Sequence, residues 1–444
     1  MKIIVVGCTH AGTAAVVNLI RFYPNSDIVV YEKNDNISFL SCGIALSVSG
    51  VVKEPEKLFY NSPDNLKNLG IKANMNHEVI KFDFTNKKVI VRNLESNEIF
   101  EDTYDKLVLT LGSWPIVPKI NGVDLDNIIL CKNYDHAKII NNKIKDVENI
   151  VIVGAGYIGV ELAEAFQANG KNVTLIDAEE RIMAKYLDKE FSSIAEEEFR
   201  HNNVKLALGQ YVTEFKGKNN KVNEVVTNKS SYKADLVILS IGFAPNTSLV
   251  KDQLKVLLQN GGIVVDEYMR TSEKDVFAAG DCCVVRYNPA KDYRYIPLAT
   301  NAVRMGFLVA RNIEKPTIKY MGTQGTSGIK IYDKCIATTG LSEEMAKNST
   351  DYSIDTITIH ENNRPEFMPT YEDVMIKIVF NKETRQVIGG EVLSNIDVTQ
   401  FMNTLSIAIQ NNMTIEELAM TDFFFQPHFN KPWNLLNSAV LNKI

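Results

Sequence analysis

The sequence lacks two features that would mark a protein of membranes or nucleic acids. Its formal net charge is -6 over 444 residues, and it contains no lysine-rich or arginine-rich run. A basic surface for nucleic acid is therefore not expected. It also has no stretch of the roughly 18 uninterrupted apolar residues that a membrane helix needs. We therefore expect neither nucleic acid nor a membrane as a partner.

Cysteine is scarce, and its spacing never repeats. The cysteines are Cys8, Cys42, Cys131, Cys282, Cys283 and Cys335. Their spacing favours neither a zinc site nor a disulfide framework, so no metal is predicted. Scattered cysteines in a long chain are typical of the reducing cytoplasm, where we expect this protein to be. Low-complexity linkers are missing too, and the length suffices for two or three domains packed together.

Two stretches share one pattern, a strand followed by a glycine-rich turn and a helix. They are KIIVVGCTHAGTAAVVNLI at 2–20 and NIVIVGAGYIGVELAEAF at 149–166. A second strand follows each of them and ends in an acid, Glu32 in the first case and Asp177 in the second. This is the pattern of a βαβ nucleotide-binding unit. The sequence therefore predicts an α/β fold with two Rossmann-like units.

The second glycine fingerprint is complete. Gly154, Gly156 and Gly159 permit a tight turn, close approach of a pyrophosphate, and packing of the helix on the strand. Asp177 follows at a distance suited to binding a ribose diol, where it would repel a 2′-phosphate. NADH should therefore bind better than NADPH, although the nearby Arg181 and Lys185 would soften that preference. The alternative is a glycine-rich packing turn without a ligand.

The first fingerprint is incomplete, because Thr9 stands between Gly7 and Gly12 where a middle glycine belongs. Glu32 still suits a ribose. The distant segment DVFAAGD at 275–281 supports a nucleotide here, since its Asp281 suits the ribityl hydroxyls of a flavin. A helix N-cap is the simpler role for that aspartate. The combination predicts one tightly held flavin, FAD, and one exchangeable nicotinamide, NADH.

Cys42 lies in the segment SFLSCG, and Ser47 occupies the position where a two-cysteine redox site would carry its second thiol. A free cysteine is ordinarily a small apolar core residue. Beside a flavin, and near a helix expected to begin at 41–43, it is predicted instead to be a reactive thiolate. Cys8, in the first glycine-rich turn, is a candidate to form a disulfide with Cys42 once Cys42 has been oxidised to a sulfenate.

Several segments together resemble one family. They are VVGCTHAGTA, SFLSCG, GSWPIVPKI, VGAGYIGVELAEAF, FAAGD and FFFQPHFNKPWN, and they are similar to bacterial water-forming NADH oxidases. These are flavoproteins of the disulfide-reductase superfamily, and the resemblance covers essentially the whole chain. It implies an FAD-binding domain at 1–115 and 246–320 and an NAD-binding domain at 116–245. An α+β C-terminal dimerisation domain at 321–444 is also implied, and with it a homodimer.

The resemblance further implies the roles of individual residues. Cys42 would cycle between thiolate and sulfenate, and His10 would protonate the departing oxygen or stabilise the anion. A turn residue bonded to a backbone carbonyl is the alternative for His10. Tyr157 would cover the flavin and move when nicotinamide docks, or would simply pack. Besides Thr9, His10 and Cys42, the implied FAD contacts are Ala11, Thr110, Leu111, Gly112, Ser113, Lys132, Leu298, Ala299 and Thr300. The further implied NAD contacts are Ile158, Glu161, Tyr186, Gly242 and Gly328.

The implied reaction consumes two NADH and one dioxygen and yields two waters. Reduced flavin would form a peroxide at its ring, and Cys42 would take one oxygen atom from it as a sulfenic acid. An NADH peroxidase, a coenzyme A disulfide reductase and a non-enzymatic redox sensor are the alternatives. The aromatic tail at 422–439 would form the dimer interface. Within that tail, His428 is expected to be an interface residue rather than a catalytic one.

Overall fold

The computed structural model describes residues 1–257 and 259–444. The strands of its first half are β1 (Lys2–Val6), β2 (Asp27–Tyr31), β3 (Lys72–Asn74), β4 (His77–Asp83), β5 (Lys88–Asn93), β6 (Ile99–Thr103), β7 (Lys106–Leu109), β8 (Ser113–Pro115), β9 (Ile128–Leu130), β10 (Asn149–Val153), β11 (Asn172–Ile176), β12 (Lys205–Ala207) and β13 (Val212–Lys218). The later strands are β14 (Lys221–Thr227), β15 (Ser231–Lys233), β16 (Leu236–Leu239), β17 (Phe243–Pro245), β18 (Ile263–Val264), β19 (Val276–Ala278), β20 (Cys283–Tyr287), β21 (Asp292–Arg294), β22 (Ser327–Ile331), β23 (Lys334–Gly340), β24 (Ile354–Asn362), β25 (Asp373–Asn381) and β26 (Val387–Ser394).

The helices are α1 (His10–Phe22), α2 (Ile44–Val48), α3 (Pro63–Asn68), α4 (Tyr134–Lys143), α5 (Tyr157–Ala168), α6 (Lys189–His201), α7 (Ala299–Asn312), α8 (Glu343–Ser349), α9 (Gln400–Gln410), α10 (Ile415–Ala419) and α11 (Leu435–Leu441). Short 3₁₀ turns span Ser41–Gly43, Pro55–Leu58 and Ile144–Asp146.

The first predicted unit forms a five-stranded parallel sheet in the order β19-β7-β1-β2-β3. Its strands are apolar along most of their length because a parallel sheet is covered on both faces. Strand β19 comes from far along the chain, and Val276 pairs with Leu107 of β7. The DVFAAGD segment therefore returns to the edge of the first unit.

The second unit repeats this design. Its five-stranded parallel sheet has the order β12-β11-β10-β16-β9. In both sheets the glycine-rich turn follows a strand with neighbours on either side, β1 or β10, at the carboxyl edge where doubly wound folds bind nucleotides. Smaller antiparallel sheets, β4-β5-β6 and β13-β14-β15, flank these units.

The C-terminal domain is the predicted mixture of sheet and helices. It contains an antiparallel five-stranded sheet in the order β22-β23-β26-β25-β24. Side chains of α9, α10 and α11 join those of the sheet in one apolar core. Within the tail, Phe424 and Phe429 are each 68% exposed in the single chain. They therefore lie outside the core of the chain itself.

The lengths and compositions of the helices also bear on membrane insertion. Across residues 1–257 and 259–444, none is both long enough and apolar enough to cross a bilayer.

Candidate active site

The first glycine-rich turn is tightly packed between β1 and α1. A Cβ atom on Gly12 would lie 2.1 Å from the carbonyl oxygen of Gly7, and Gly7 itself has a φ of +90°. The hydroxyl of Thr110 donates to the carbonyl oxygen of Gly7 over 2.7 Å. Thr9 is exposed at the N-cap of α1. The turn therefore keeps the shape of a nucleotide-binding loop although its middle glycine is missing.

Glu32 follows β2 and is held in place by neighbouring donors. It is 4% exposed. Its carboxylate accepts the backbone N–H of Cys8 over 2.7 Å and that of Asn34 over 3.0 Å. Burial raises the pKa of this carboxyl, and the hydrogen bonds oppose that shift. The acid is thus positioned beside the first fingerprint, where a ribose is expected.

Asp281 lies on the same side of the first sheet and is bonded to two other predicted FAD contacts. Its carboxylate accepts from the hydroxyl of Ser113 over 2.8 Å and from the ammonium of Lys132 over 3.2 Å. The N-cap of α7 is Leu298. The simpler role of Asp281 as the cap of that helix is therefore wrong.

Helix α7 reaches the first unit through very close packing. A Cβ atom on Gly306 would lie 2.3 Å from the carbonyl oxygen of Ala11, and one on Gly280 would lie 2.8 Å from the Cβ of Ala11. The N-terminus of α7 therefore lies beside the first fingerprint, and it contains Leu298, Ala299 and Thr300. In contrast, Gly112 has a φ of +67° and open space where its Cβ would point. The compact cradle, the held carboxylates and this open edge fit the predicted FAD.

The second glycine-rich turn has the same build. Gly154 has a φ of +106°, and a Cβ atom on Gly159 would lie 1.8 Å from the Gly154 carbonyl oxygen. Asp177 accepts the backbone N–H of Ala155 over 2.5 Å, just as Glu32 accepts that of Cys8. A Cβ atom on Gly156 would meet nothing nearer than the ring of Tyr186, 3.9 Å away. A dinucleotide therefore has room to approach this backbone, and the site fits NAD.

An aromatic pair covers the second fingerprint. The rings of Tyr157 and Tyr186 have centroids 4.6 Å apart. The hydroxyl of Tyr157 lies 2.6 Å from that of Ser327, next to the predicted contact Gly328 on β22. Burial raises the pKa of Tyr157 above its usual range, so the phenol is neutral. Ile158 is half-buried beside Tyr157, and Gly242 has a φ of +109° that only glycine adopts readily.

The guanidinium of Arg181 is bonded to other groups of the protein. Its guanidinium donates to the carbonyl oxygen of Leu187 over 3.0 Å and to the hydroxyl of Ser192 over 3.2 Å, and it pairs with Glu344. These contacts engage the side chain elsewhere. With its guanidinium engaged by these partners, Arg181 is not free to meet a 2′-phosphate, and the expected effect of Lys185 stays a prediction.

Cys42 lies in the 3₁₀ turn Ser41–Gly43, and its side chain is exposed. Partial burial among protein atoms raises the pKa of its thiol, Glu161 raises it further, and Lys132 opposes the shift. The expected helix start at 41–43 is thus one 3₁₀ turn ahead of α2. The positive end of helix α2 does not outweigh the effect of desolvation on the pKa of the Cys42 thiol. These protein groups alone therefore do not produce the predicted thiolate.

Glu161 connects the two halves of the site. It lies on α5, one turn beyond Tyr157, and its charge acts on Cys42. Burial, followed by repulsion from Glu164, raises the pKa of Glu161 to about 7. Its carboxyl group can therefore gain or lose a proton near neutrality.

His10, the first residue of α1, is bonded to a side chain that the sequence analysis missed. Its Nδ1 lies 2.9 Å from the hydroxyl of Tyr60, and the two rings are parallel with centroids 5.6 Å apart. Burial lowers the pKa of His10, with Asp281 raising it and Lys132 lowering it further. The partner of Nδ1 is thus a tyrosine hydroxyl and not the backbone carbonyl of the alternative interpretation. No motif links residues 10 and 60, so only the fold reveals this pair.

The remaining thiols and the distal histidine have other partners. All six cysteines are free, so Cys8 and Cys42 do not form a disulfide. Burial raises the pKa of Cys8 to about 12. The hydroxyl of Ser47 is buried and accepts from the side-chain amide of Asn141 over 3.0 Å. His428 is exposed and bonds through Nδ1 to the side chain of Gln426.

Comparison with known proteins agrees with this geometry. Residues 1–306 match the pyridine nucleotide-disulphide oxidoreductases, and residues 326–435 match their dimerisation domain. The chain is 51% identical to an NADH oxidase of Enterococcus faecalis over 439 residues, which are 98% of each protein.

Two solved structures of an oxidase from Lactobacillus brevis match over 100% of this chain and 98% of theirs, each with a TM-score of 0.97. One is a water-forming NADH oxidase bound to NADH, at 48% identity. The other is its engineered, water-forming NADPH oxidase bound to NADPH, at 47% identity. The family confirms the prediction of FAD and NAD as cofactors. The chain belongs to the pyridine nucleotide-disulphide oxidoreductases and carries their C-terminal dimerisation domain.

Proposed function

We propose that this chain is an FAD-dependent NADH oxidase that reduces dioxygen to water and uses Cys42 as its only redox thiol at the site. The observation that carries the proposal is the exposed Cys42 thiol, with a buried hydroxyl at Ser47 instead of a second thiol. The similarity to NADH oxidases over nearly the whole chain supports the same reaction.

The residues divide the work between two cofactors. Gly7, Gly12, Glu32 and Asp281 would hold FAD, and Gly154, Gly156, Gly159 and Asp177 would hold NADH. The predicted domains at 1–115 with 246–320, at 116–245 and at 321–444 remain part of this proposal. When bound, FAD carries the electron pair of NADH to dioxygen and so supplies peroxide beside Cys42.

Cys42 completes the reduction to water. The Cys42 thiolate attacks one peroxide oxygen, the O–O bond breaks, and with one proton the other oxygen leaves as water. The sulfur, now oxidised by two electrons, is a sulfenic acid. The electron pair of a second NADH, with a proton, returns it to the thiolate and releases the second water. Because Ser47 cannot condense with the sulfenic acid, no local disulfide interrupts this cycle.

His10 would supply the proton for this step. Its Nδ1 is engaged by Tyr60, which leaves Nε2 free to serve the departing oxygen. Lys132, bonded to Asp281, lowers the pKa of Cys42. Since burial raises that pKa, the proposal requires FAD itself to favour the thiolate once it lies beside the sulfur.

Stoichiometry tests the proposal. The purified holoenzyme, given NADH in air, should consume two NADH per dioxygen and release negligible hydrogen peroxide. Oxidation of NADH only after peroxide is added would indicate a peroxidase instead. Turnover only with coenzyme A disulfide would indicate that reductase, and no sustained turnover would indicate a sensor.

Substitution of the thiol sharpens this test. The variant Cys42→Ser should still oxidise NADH but with one NADH per dioxygen and hydrogen peroxide as the product. Cys335→Ser, on strand β23 of the C-terminal sheet, is the matched control and should still make water. If Cys42→Ser makes water as before, the role of the thiolate is wrong.

We further propose that the active form is a homodimer. The family's dimerisation domain is present, and Phe424, Phe429 and Trp433 are more than half exposed in the single chain. Aromatic side chains are enriched at interface cores, so a second copy of this surface is the expected cover. A single-chain mass in light scattering at micromolar concentration would contradict this part.

A further inference from the structure

The loop at 181–188 forms one wall of the second fingerprint. The backbone N–H of Met183 donates to the carbonyl oxygen of Ala155 over 2.8 Å. Within the loop, the N–H groups of Tyr186 and Leu187 both donate to the carbonyl oxygen of Met183. The Tyr186 ring lies against Tyr157 and over Gly156. A displacement of this loop would therefore change the space available to a bound dinucleotide.

The end of this loop is bonded to the C-terminal domain rather than to solvent. Asp188, the N-cap of α6, is 3% exposed. Its carboxylate accepts the backbone N–H of Glu343 over 2.9 Å and that of Glu344 over 3.1 Å, at the start of α8. Its own N–H donates to Glu391 of β26 over 2.9 Å. Asp188 is thus anchored through both its backbone and its side chain.

One buried lysine neutralises the carboxylates that meet here. Lys377 of β25 is 3% exposed, and its ammonium lies 2.8 Å from Asp188, 2.6 Å from Glu190 and 2.7 Å from Glu343. Burial alone would lower the pKa of Lys377, but hydrogen bonds to the three carboxylates outweigh it and raise that pKa. The ammonium fills the position that a metal ion would take among these acids.

The other charges around the cluster are already paired or neutralised. Glu343 also pairs with Lys347, and Glu344 pairs with Arg181 of the loop itself. Burial raises the pKa of Glu391 well above its usual range, so this carboxyl is neutral. Removing the Lys377 charge would therefore leave three carboxylates from two parts of the molecule in contact, and buried like charges repel strongly.

We propose that Lys377 is a positioning residue for NADH, because it fastens the 181–188 loop to the C-terminal domain and so fixes the wall of the second fingerprint. This inference rests on the proposed function only in requiring NAD to bind at that fingerprint. It assigns the C-terminal domain a second role besides dimerisation. Arg181 joins the same network through its pair with Glu344.

The test is NAD⁺ binding to the holoenzyme, because NAD⁺ is bound without turnover. In Lys377→Met the Kd for NAD⁺ should rise about tenfold, within the range typical of coupled sites. The FAD content should stay unchanged. In steady-state assays the KM for NADH should rise more than kcat falls.

Two further variants separate positioning from general loosening of the domain contact. Lys334→Met breaks another ion pair between the C-terminal sheet and α6, with Glu198 at 3.3 Å, but away from the loop. It should leave the Kd unchanged. Lys377→Arg keeps the positive charge and should restore most of the affinity.

The possible outcomes are distinct. The proposal is overturned if Lys377→Met binds NAD⁺ with the same Kd as the wild type, or if Lys334→Met weakens binding equally. If Lys377→Met does not fold, Glu344→Gln releases Arg181 from an exposed partner and should weaken binding by a smaller factor. An unchanged Kd in that variant also overturns it. A wild-type protein that binds no NAD⁺ would instead contradict the proposed function.

Discussion

The two nucleotide-binding units share one local design but are covered differently. Each has a turn whose first and last glycines leave no room for a Cβ, an acid that accepts the N–H after the first glycine, and a hydroxyl that donates to that glycine's carbonyl oxygen. Over the first unit lie Asp281 and α7, packed onto α1 by Gly306. Over the second lies a loop whose Tyr186 is 40% exposed.

The two units are therefore expected to recognise a dinucleotide in the same way but to retain it differently. The fingerprints explain why both units accept a dinucleotide, whereas the covers explain why one cofactor should stay and the other should exchange. A cover built from core helices opens only at a large free-energy cost, but a loop held by a few polar contacts moves more readily. The predictions below test this division.

The largest effect is expected from Asp281→Ala. It removes the carboxylate that accepts from Ser113 and Lys132, and each hydrogen bond to a charged group contributes about 1.5–3 kcal/mol. The variant should purify with most of its FAD lost, measured as the ratio of flavin to protein absorbance. A flavin content equal to that of the wild type would remove Asp281 from the FAD site.

Asp177→Ala should act on the other unit alone. Loss of the carboxylate removes the repulsion of a 2′-phosphate, so the ratio of kcat/KM for NADPH to that for NADH should rise about tenfold, equivalent to about 1.4 kcal/mol.

The matched control for that variant is Glu32→Ala in the first unit. It should reduce FAD content and leave the nucleotide preference unchanged. An unchanged preference in Asp177→Ala, or a changed one in Glu32→Ala, would contradict the assignment of the two acids.

The smallest effect is expected from Glu161→Gln, at the point where the two units meet. Glu161 raises the pKa of Cys42 when it is charged, and its own pKa is about 7. In Glu161→Gln the pKa of the Cys42 thiol should fall. Alkylation of the reduced enzyme by iodoacetamide should then be faster than in the wild type above neutral pH. The difference should vanish at lower pH, where Glu161 is already protonated.

Cys42→Ser provides the background rate for this measurement. Coincident pH profiles of Glu161→Gln and the wild type would show that the charge of Glu161 does not reach the sulfur.

Several parts of the fold and site were predictable because they follow from local patterns. The two βαβ units appear at the predicted stretches, as β1-α1-β2 and β10-α5-β11. The return of DVFAAGD to the first unit was suggested by its strand pattern and its final acid. Strand periodicity and glycine spacing are properties of neighbouring residues, so they can be read without the fold.

Other features could not be predicted, because they depend on residues far apart in the chain. Tyr60 meets His10, Ser327 meets Tyr157, and Lys377 meets Asp188, yet no spacing rule connects these pairs. The direction of the Cys42 pKa also depends on how many atoms surround the thiol. The residues next to Cys42 in the sequence do not show how many atoms these are.

The sequence by itself determined that the chain contains two dinucleotide folds and a single thiol where redox enzymes often carry two. Backbone sterics at glycine and the alternation of apolar residues suffice for that conclusion. The tertiary structure alone decided which segments cover each fold and which charges face Cys42. Packing and desolvation are set by the whole surroundings of a side chain, and those surroundings are assembled from distant parts of the chain.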